Sequence, residues 1–184
     1  MRYEKVTIVL LVFITCNSYA QNNAADSLKQ LLRTDIADTT RVLVLEELAK
    51  TYVHTIPDTS FLFAQQGIAL AKQIKYEKGE ADGLRASGNI FWITGNYPKA
   101  LDHLLQALKK YEFLNDQVGM ANAYGNIGNI YSDMGDEKQS ILITRKQRII
   151  AESMHNSHLI AITSLNLGDI ATGSTTFFPL KVLC

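Results

Sequence analysis

Cysteine is nearly absent from this 184-residue chain. Its two cysteines, Cys16 and Cys184, stand at opposite ends, which excludes a disulfide framework. Proline is also scarce, three residues against 11 glycines, so the sequence has few obligatory helix breakers. Neither sign of charge is in excess: 18 basic residues offset 18 acidic ones. Nucleic acid is therefore not an expected partner, because neutralising phosphates takes clustered Lys and Arg. Long apolar runs are missing beyond the first 14 residues, and no glycine-rich nucleotide-binding loop is present. What remains is a globular balance, 47% hydrophobic and 20% charged, in a length suited to one domain or a short repeat array.

The N-terminus reads as an export signal. Arg2 and Lys5 precede the apolar run of residues 6–14, and Ser18-Tyr19-Ala20 supplies small residues for cleavage after Ala20. The run is short for a membrane-spanning helix, which takes roughly 20 residues. A lipid anchor on Cys16 would ordinarily follow Gly or Ala, and here Thr15 precedes it. The expectation is a signal peptide over 1–20 and a periplasmic or extracellular mature protein of charge −1, with 16 basic and 17 acidic residues. Membrane association is expected only if the signal stays uncleaved.

The glycines carry the main signal. Gly88, Gly128 and Gly168 lie 40 residues apart, each followed by Asn or Asp and then Ile. Gly95-Asn96 and Gly135-Asp136 repeat the same period, as do the small residues Ala100 and Ser140. Each unit reads as helix, tight turn, helix. Ala81, Leu84, Gly88 and Phe91 recur at helical spacing on one face. Gly95-Asn96 accepts the left-handed turn, Pro98 suits the first turn of the next helix, and Ala100, Leu104, Ala107 and Leu108 form the second stripe. A glycine inside a helix costs about 1 kcal/mol relative to Ala, so its recurrence implies close helix approach.

These residues resemble the tetratricopeptide repeat. The pattern of small residue, aromatic, Gly-Asp/Asn turn and two further small residues is met by Gly88, Phe91, Gly95, Tyr97, Ala100 and Ala107. The next copy keeps Gly128, Tyr131, Gly135 and Ser140, but has Thr144 and Gln147 where Leu104 and Ala107 stood. The resemblance implies an all-α solenoid of antiparallel helix pairs, with a period longer than the usual 34 or so residues. The expected organisation is a signal peptide (1–20), a lead-in segment or helix (21–38) and a divergent helix pair (39–78). Two clear repeats (79–118 and 119–156), a half repeat (157–171) and an irregular tail (172–184) follow. More loosely, the order of elements resembles the exported N-terminal region of sensor histidine kinases of Bacteroidetes-type bacteria. That likeness implies a truncated sensor region as the alternative to a free-standing module.

The tail departs from the repeat, with Thr172-Gly173-Ser174 and Phe177-Phe178-Pro179 replacing a second helix. Self-association through the incomplete C-terminal unit is a further expectation. No catalytic constellation, metal set or cofactor motif emerges, so the expected function is non-enzymatic, with neither cofactor nor metal. Gly125-Asn126-Ile127-Gly128 lacks the spacing and the Lys of a phosphate loop. His54 and His103 read as surface residues. In such arrays the first helices line a concave groove. Arg85, Asn89 and Trp92 on one helix, then Asn122, Asn126, Asn129 and Asp133 on the next, are the candidate partner-binding residues, with Asn166 and Asp169 beyond. Amide side chains both donate and accept, which suits an extended protein or peptide segment. Arg85, Asn89 and Asn126 partly resemble a carboxylate clamp, but Ile162 falls where that clamp would carry a cation.

Overall fold

Backbone sterics allow few residue types to adopt positive φ, so the positions that do so mark where a chain must turn. Here Gly95 and Gly135 (φ +78° and +75°) are 40 residues apart, and Lys75, Asn115 and His155 (φ +57°, +53° and +52°) repeat the same interval. The first pair closes each hairpin and the second set closes each junction between hairpins. The second set was invisible as a motif because three different side chains occupy it.

The structure, a computed structural model, describes residues 24–171, with side chains to 168. The expected signal segment (1–20), including Cys16, and the tail from 172, including Cys184, lie outside these residues. Among the described residues there are eight helices and no strand. They are α1 (24–32), α2 (Asp38–Tyr52), α3 (Pro57–Gln73), α4 (Glu77–Ile93), α5 (Tyr97–Leu114), α6 (Gln117–Asp133), α7 (Glu137–Ser153) and α8 (Ser157–Ala171). None of them is long and apolar enough to cross a membrane.

Local chemistry sets the helix starts. Asn96, Asp116 and Asp136 cap α5, α6 and α7, each side-chain oxygen accepting the backbone N–H three residues on. Pro98 occupies the first turn of α5, where no intrahelical donor is lost. The divergent pair α2–α3 lacks a turn glycine and spends four residues, 53–56, where the later hairpins spend three.

Each helix packs against the next in sequence. In addition α4 touches both α2 and α6, while no two of α3, α5 and α7 touch. Helices α3, α5 and α7 therefore form the outer layer, and α2, α4, α6 and α8 line the inner, concave side. The main core lies between α4, α5 and α6, where Leu104, Tyr111, Ile127 and Ile130 are fully buried. Burying a residue such as Leu104 contributes about 1.5–3 kcal/mol.

The repeat glycines are graded in their crowding. A Cβ at Gly88 would stand 2.7 Å from Leu104 Cγ and 3.2 Å from the Ala100 carbonyl oxygen. At Gly128 the nearest atom to such a Cβ is Thr144 Oγ1 at 3.3 Å, and one at Gly168 would meet nothing within 4 Å among the described residues. Ser140, at the place of Ala100, turns its small side chain to use: its Oγ donates to the Gly128 carbonyl at 3.0 Å. Ser60 does the same to Ala49, two periods earlier. A second glycine pair, Gly79 and Gly119, admits aromatic rings: a Cβ at Gly119 would strike Tyr111, and one at Gly79 would strike Tyr76.

His103, expected on the surface, is partly buried. Its ring lies 5.1 Å from that of Phe91, and its Nδ1 is buried without a hydrogen-bond partner. Burial lowers its pKa, reinforced by Lys99 and opposed by Asp102. The spacing of residues along α5 gave no sign of this, because the contact comes from a neighbouring helix.

Candidate groove site

The inner face divides into a closed half and an open half. Between α4 and α6, the predicted groove residues bond to one another. Asn126 Nδ2 donates to Asn89 Oδ1 at 2.7 Å, and Trp92 Nε1 donates to Asp133 Oδ2 at 2.6 Å. These pairs lace the two helices together, and they use part of the hydrogen-bonding capacity assigned to a partner.

Arg85 sits beneath this seam. Its side chain is only 18% exposed, its Nε donates to the Tyr111 hydroxyl at 3.2 Å, and a guanidinium nitrogen lies 3.8 Å from Glu46 of α2. Tyr111 in turn donates to Asp82 at 2.6 Å. Burial opposes the Arg85 charge, but Tyr111, Asp82 and Glu46 more than offset it, so the guanidinium is held above its ordinary range. Burial likewise pushes the Tyr111 phenol far up, so it stays a neutral donor. Arg85 thus joins α2, α4 and α5 and does not stand in the groove as a free cation.

Between α6 and α8 the arrangement opens. No backbone approach joins these two helices among the described residues, whereas α4 and α6 do approach. A cavity of about 340 Å³ results. Its walls include Asn122, Asn126 and Asn129 of α6 and Ile162 and Asn166 of α8. Three of the four predicted α6 residues therefore meet in one site, together with Asn166. Asp133, Trp92, Asn89 and Arg85 are not in its lining. Among the described residues, no hydrogen bond engages the side-chain amides of Asn122, Asn129 or Asn166, so their donors and acceptors are available.

Among the lining residues that sequence reasoning missed is Gln147 of the outer helix α7. It is 7% exposed and occupies the position of the wholly buried Ala107 one period earlier. Space for it is made on α6: a Cβ at Gly125 would fall 2.7 Å from Gln147 Nε2. Gly125 in turn stands one period after Arg85. Large and small have thus changed places, Arg85 with Ala107 in one repeat and Gly125 with Gln147 in the next. The signal was present in the sequence as two departures from the repeat, but only packing shows that they compensate.

This architecture is that of a tetratricopeptide-like α-solenoid. Residues 79–146, which span α4 to the middle of α7, match the tetratricopeptide repeat family. Sequence comparison with curated proteins gives no match. Three solved structures share the fold. A Rap protein complexed with Competence and Sporulation Factor is 20% identical at a TM-score of 0.72 over 88% of this chain. BtubC (BKLC) from P. vanneervenii is 17% identical at 0.69 over 86%. Aspartyl phosphate phosphatase F from Bacillus subtilis is 15% identical at 0.67 over 81%. The alignments span 47%, 67% and 41% of those chains, respectively.

Proposed function

We propose that this chain is a non-enzymatic, exported interaction module that holds a protein or peptide segment against the inner face of its helical array. The observation that carries the reading is the cavity between α6 and α8, where unengaged amides stand beside apolar side chains. Extended polypeptide presents alternating donors, acceptors and side chains, and a wall of amides with apolar patches can meet all three. The Rap protein that shares this fold was solved in complex with a factor, which supports a binding role for arrays of this shape. The test is to immobilise the full chain and capture partners from a periplasmic extract. Changing Asn122, Asn129 and Asn166 together to Ala should abolish capture while leaving helicity unchanged; undiminished capture would overturn the reading.

A second reading has its own support. It concerns α8, the last helix among the described residues. Leu165 on the same helix is 66% exposed. The repeats then belong to the sensor region of a larger signalling regulator of the histidine-kinase type, or pack against a second copy through α8. Coding sequence for a membrane helix and kinase core directly downstream supports the regulator. A monomer at all concentrations in sedimentation analysis refutes the dimer.

A further inference from the structure

The chemistry of the α6–α8 cavity narrows what it accepts. Gln147 is more than nine-tenths buried, yet no hydrogen bond among the described residues engages its amide, and it lines the cavity through the notch left by Gly125. Neither of its polar atoms is sealed off from the cavity, so both can meet an incoming group. The group is therefore aimed at whatever enters. Around it the cavity offers no carboxylate, Lys or Arg; the single ionisable residue in its lining is the exposed His158. Leu159, Ile162 and Met154 supply apolar wall.

Resting on the groove reading above, we infer that this cavity is a specificity pocket for a neutral amide side chain, Gln or Asn, of the bound segment. An incoming carboxamide satisfies Gln147 in both directions at once, its NH₂ donating to Gln147 Oε1 and its oxygen accepting from Nε2. Its aliphatic stem packs on Leu159 and Ile162. A Glu or Lys side chain in the same place loses its hydration without gaining a counter-charge, and a Leu leaves the Gln147 amide unsatisfied. The Asn122, Asn129 and Asn166 amides nearer the rim remain for the backbone flanking the inserted residue. This is a role for an outer-helix residue in reading a ligand, created by the exchange of bulk between positions 125 and 147.

The experiment uses the ¹⁵N-labelled full chain titrated with five blocked peptides, acetyl-Ala-Ala-X-Ala-Ala-amide, with X as Gln, Asn, Glu, Lys or Leu. The Gln peptide is expected to shift the Gln147 side-chain amide resonances and to bind at least about tenfold more tightly than the Glu, Lys and Leu peptides, a difference of ~1.4 kcal/mol. Gln147→Met keeps the volume and removes the amide, so it should reverse the preference toward Leu with helicity unchanged. Equal affinity for Gln and Leu, with groove resonances still shifting, overturns the amide pocket and leaves the groove reading intact. Retention of the Gln preference in Gln147→Met also overturns it. If none of the five peptides perturbs any α6 or α8 resonance, both readings fall.

Discussion

Replacing the repeat glycines by alanine provides a test in which the same substitution should change sign along the chain. Gly88, Gly128 and Gly168 hold equivalent positions, so helix propensity contributes the same gain of about 1 kcal/mol at each. Packing does not. At position 88 the new methyl would meet Leu104 Cγ at 2.7 Å and the Ala100 carbonyl oxygen at 3.2 Å. Leu104 is wholly buried and the carbonyl belongs to α5 itself, so relief requires the two helices to separate. Overpacking of this kind costs about 1–3 kcal/mol, which leaves Gly88→Ala less stable by about 1 kcal/mol net. At position 128 a shift of a few tenths of an ångström by Thr144 Oγ1, at 3.3 Å, is enough, and the change should be close to neutral. At position 168 an added Cβ would meet nothing within 4 Å among the described residues, so the propensity gain of about 1 kcal/mol is left unopposed by them. Urea unfolding followed by far-ultraviolet circular dichroism should rank stability as Gly168→Ala above Gly128→Ala above Gly88→Ala, at constant m value. A stabilised Gly88→Ala, or three indistinguishable midpoints, would refute the close-approach explanation of the repeat.

Two further predictions concern buried polar groups. Tyr111→Phe removes the hydroxyl that donates to Asp82 and accepts from Arg85, leaving both short of a partner; stability should fall by about 1–3 kcal/mol in the same urea assay, and no change would mean that water replaces the hydroxyl without loss. His103, whose pKa is lowered chiefly by burial, binds its proton less readily folded than unfolded. Stability should therefore fall as pH drops below the ordinary histidine value of about 6.5 and level off below the lowered folded value. His103→Phe, which keeps a ring against Phe91, should flatten that part of the pH profile; an unaltered profile would place the titration elsewhere.

The period of the array was legible without coordinates, because its causes are local. A hairpin turn needs positive φ, which Gly95 and Gly135 supply, and close helix contact needs a small residue, which Gly88 and Gly128 supply. The junction turns at Lys75, Asn115 and His155 were not legible, since the helix geometry on either side imposes that conformation on residues that do not advertise it. The candidate groove was half legible. Spacing placed the asparagines on one face of α6, but spacing says nothing about what faces them across the groove. Tertiary packing decided that Asn89 and Asn126 bond each other, that Arg85 is drawn under the seam by Tyr111 and Glu46, and that Gln147 reaches the inner side through Gly125. The sequence by itself determined the helix pairs and their 40-residue interval, because propensity, capping and turn chemistry act within a few residues. Only the tertiary structure decided where the inner face opens, because that depends on side-chain volumes contributed by helices one full repeat apart.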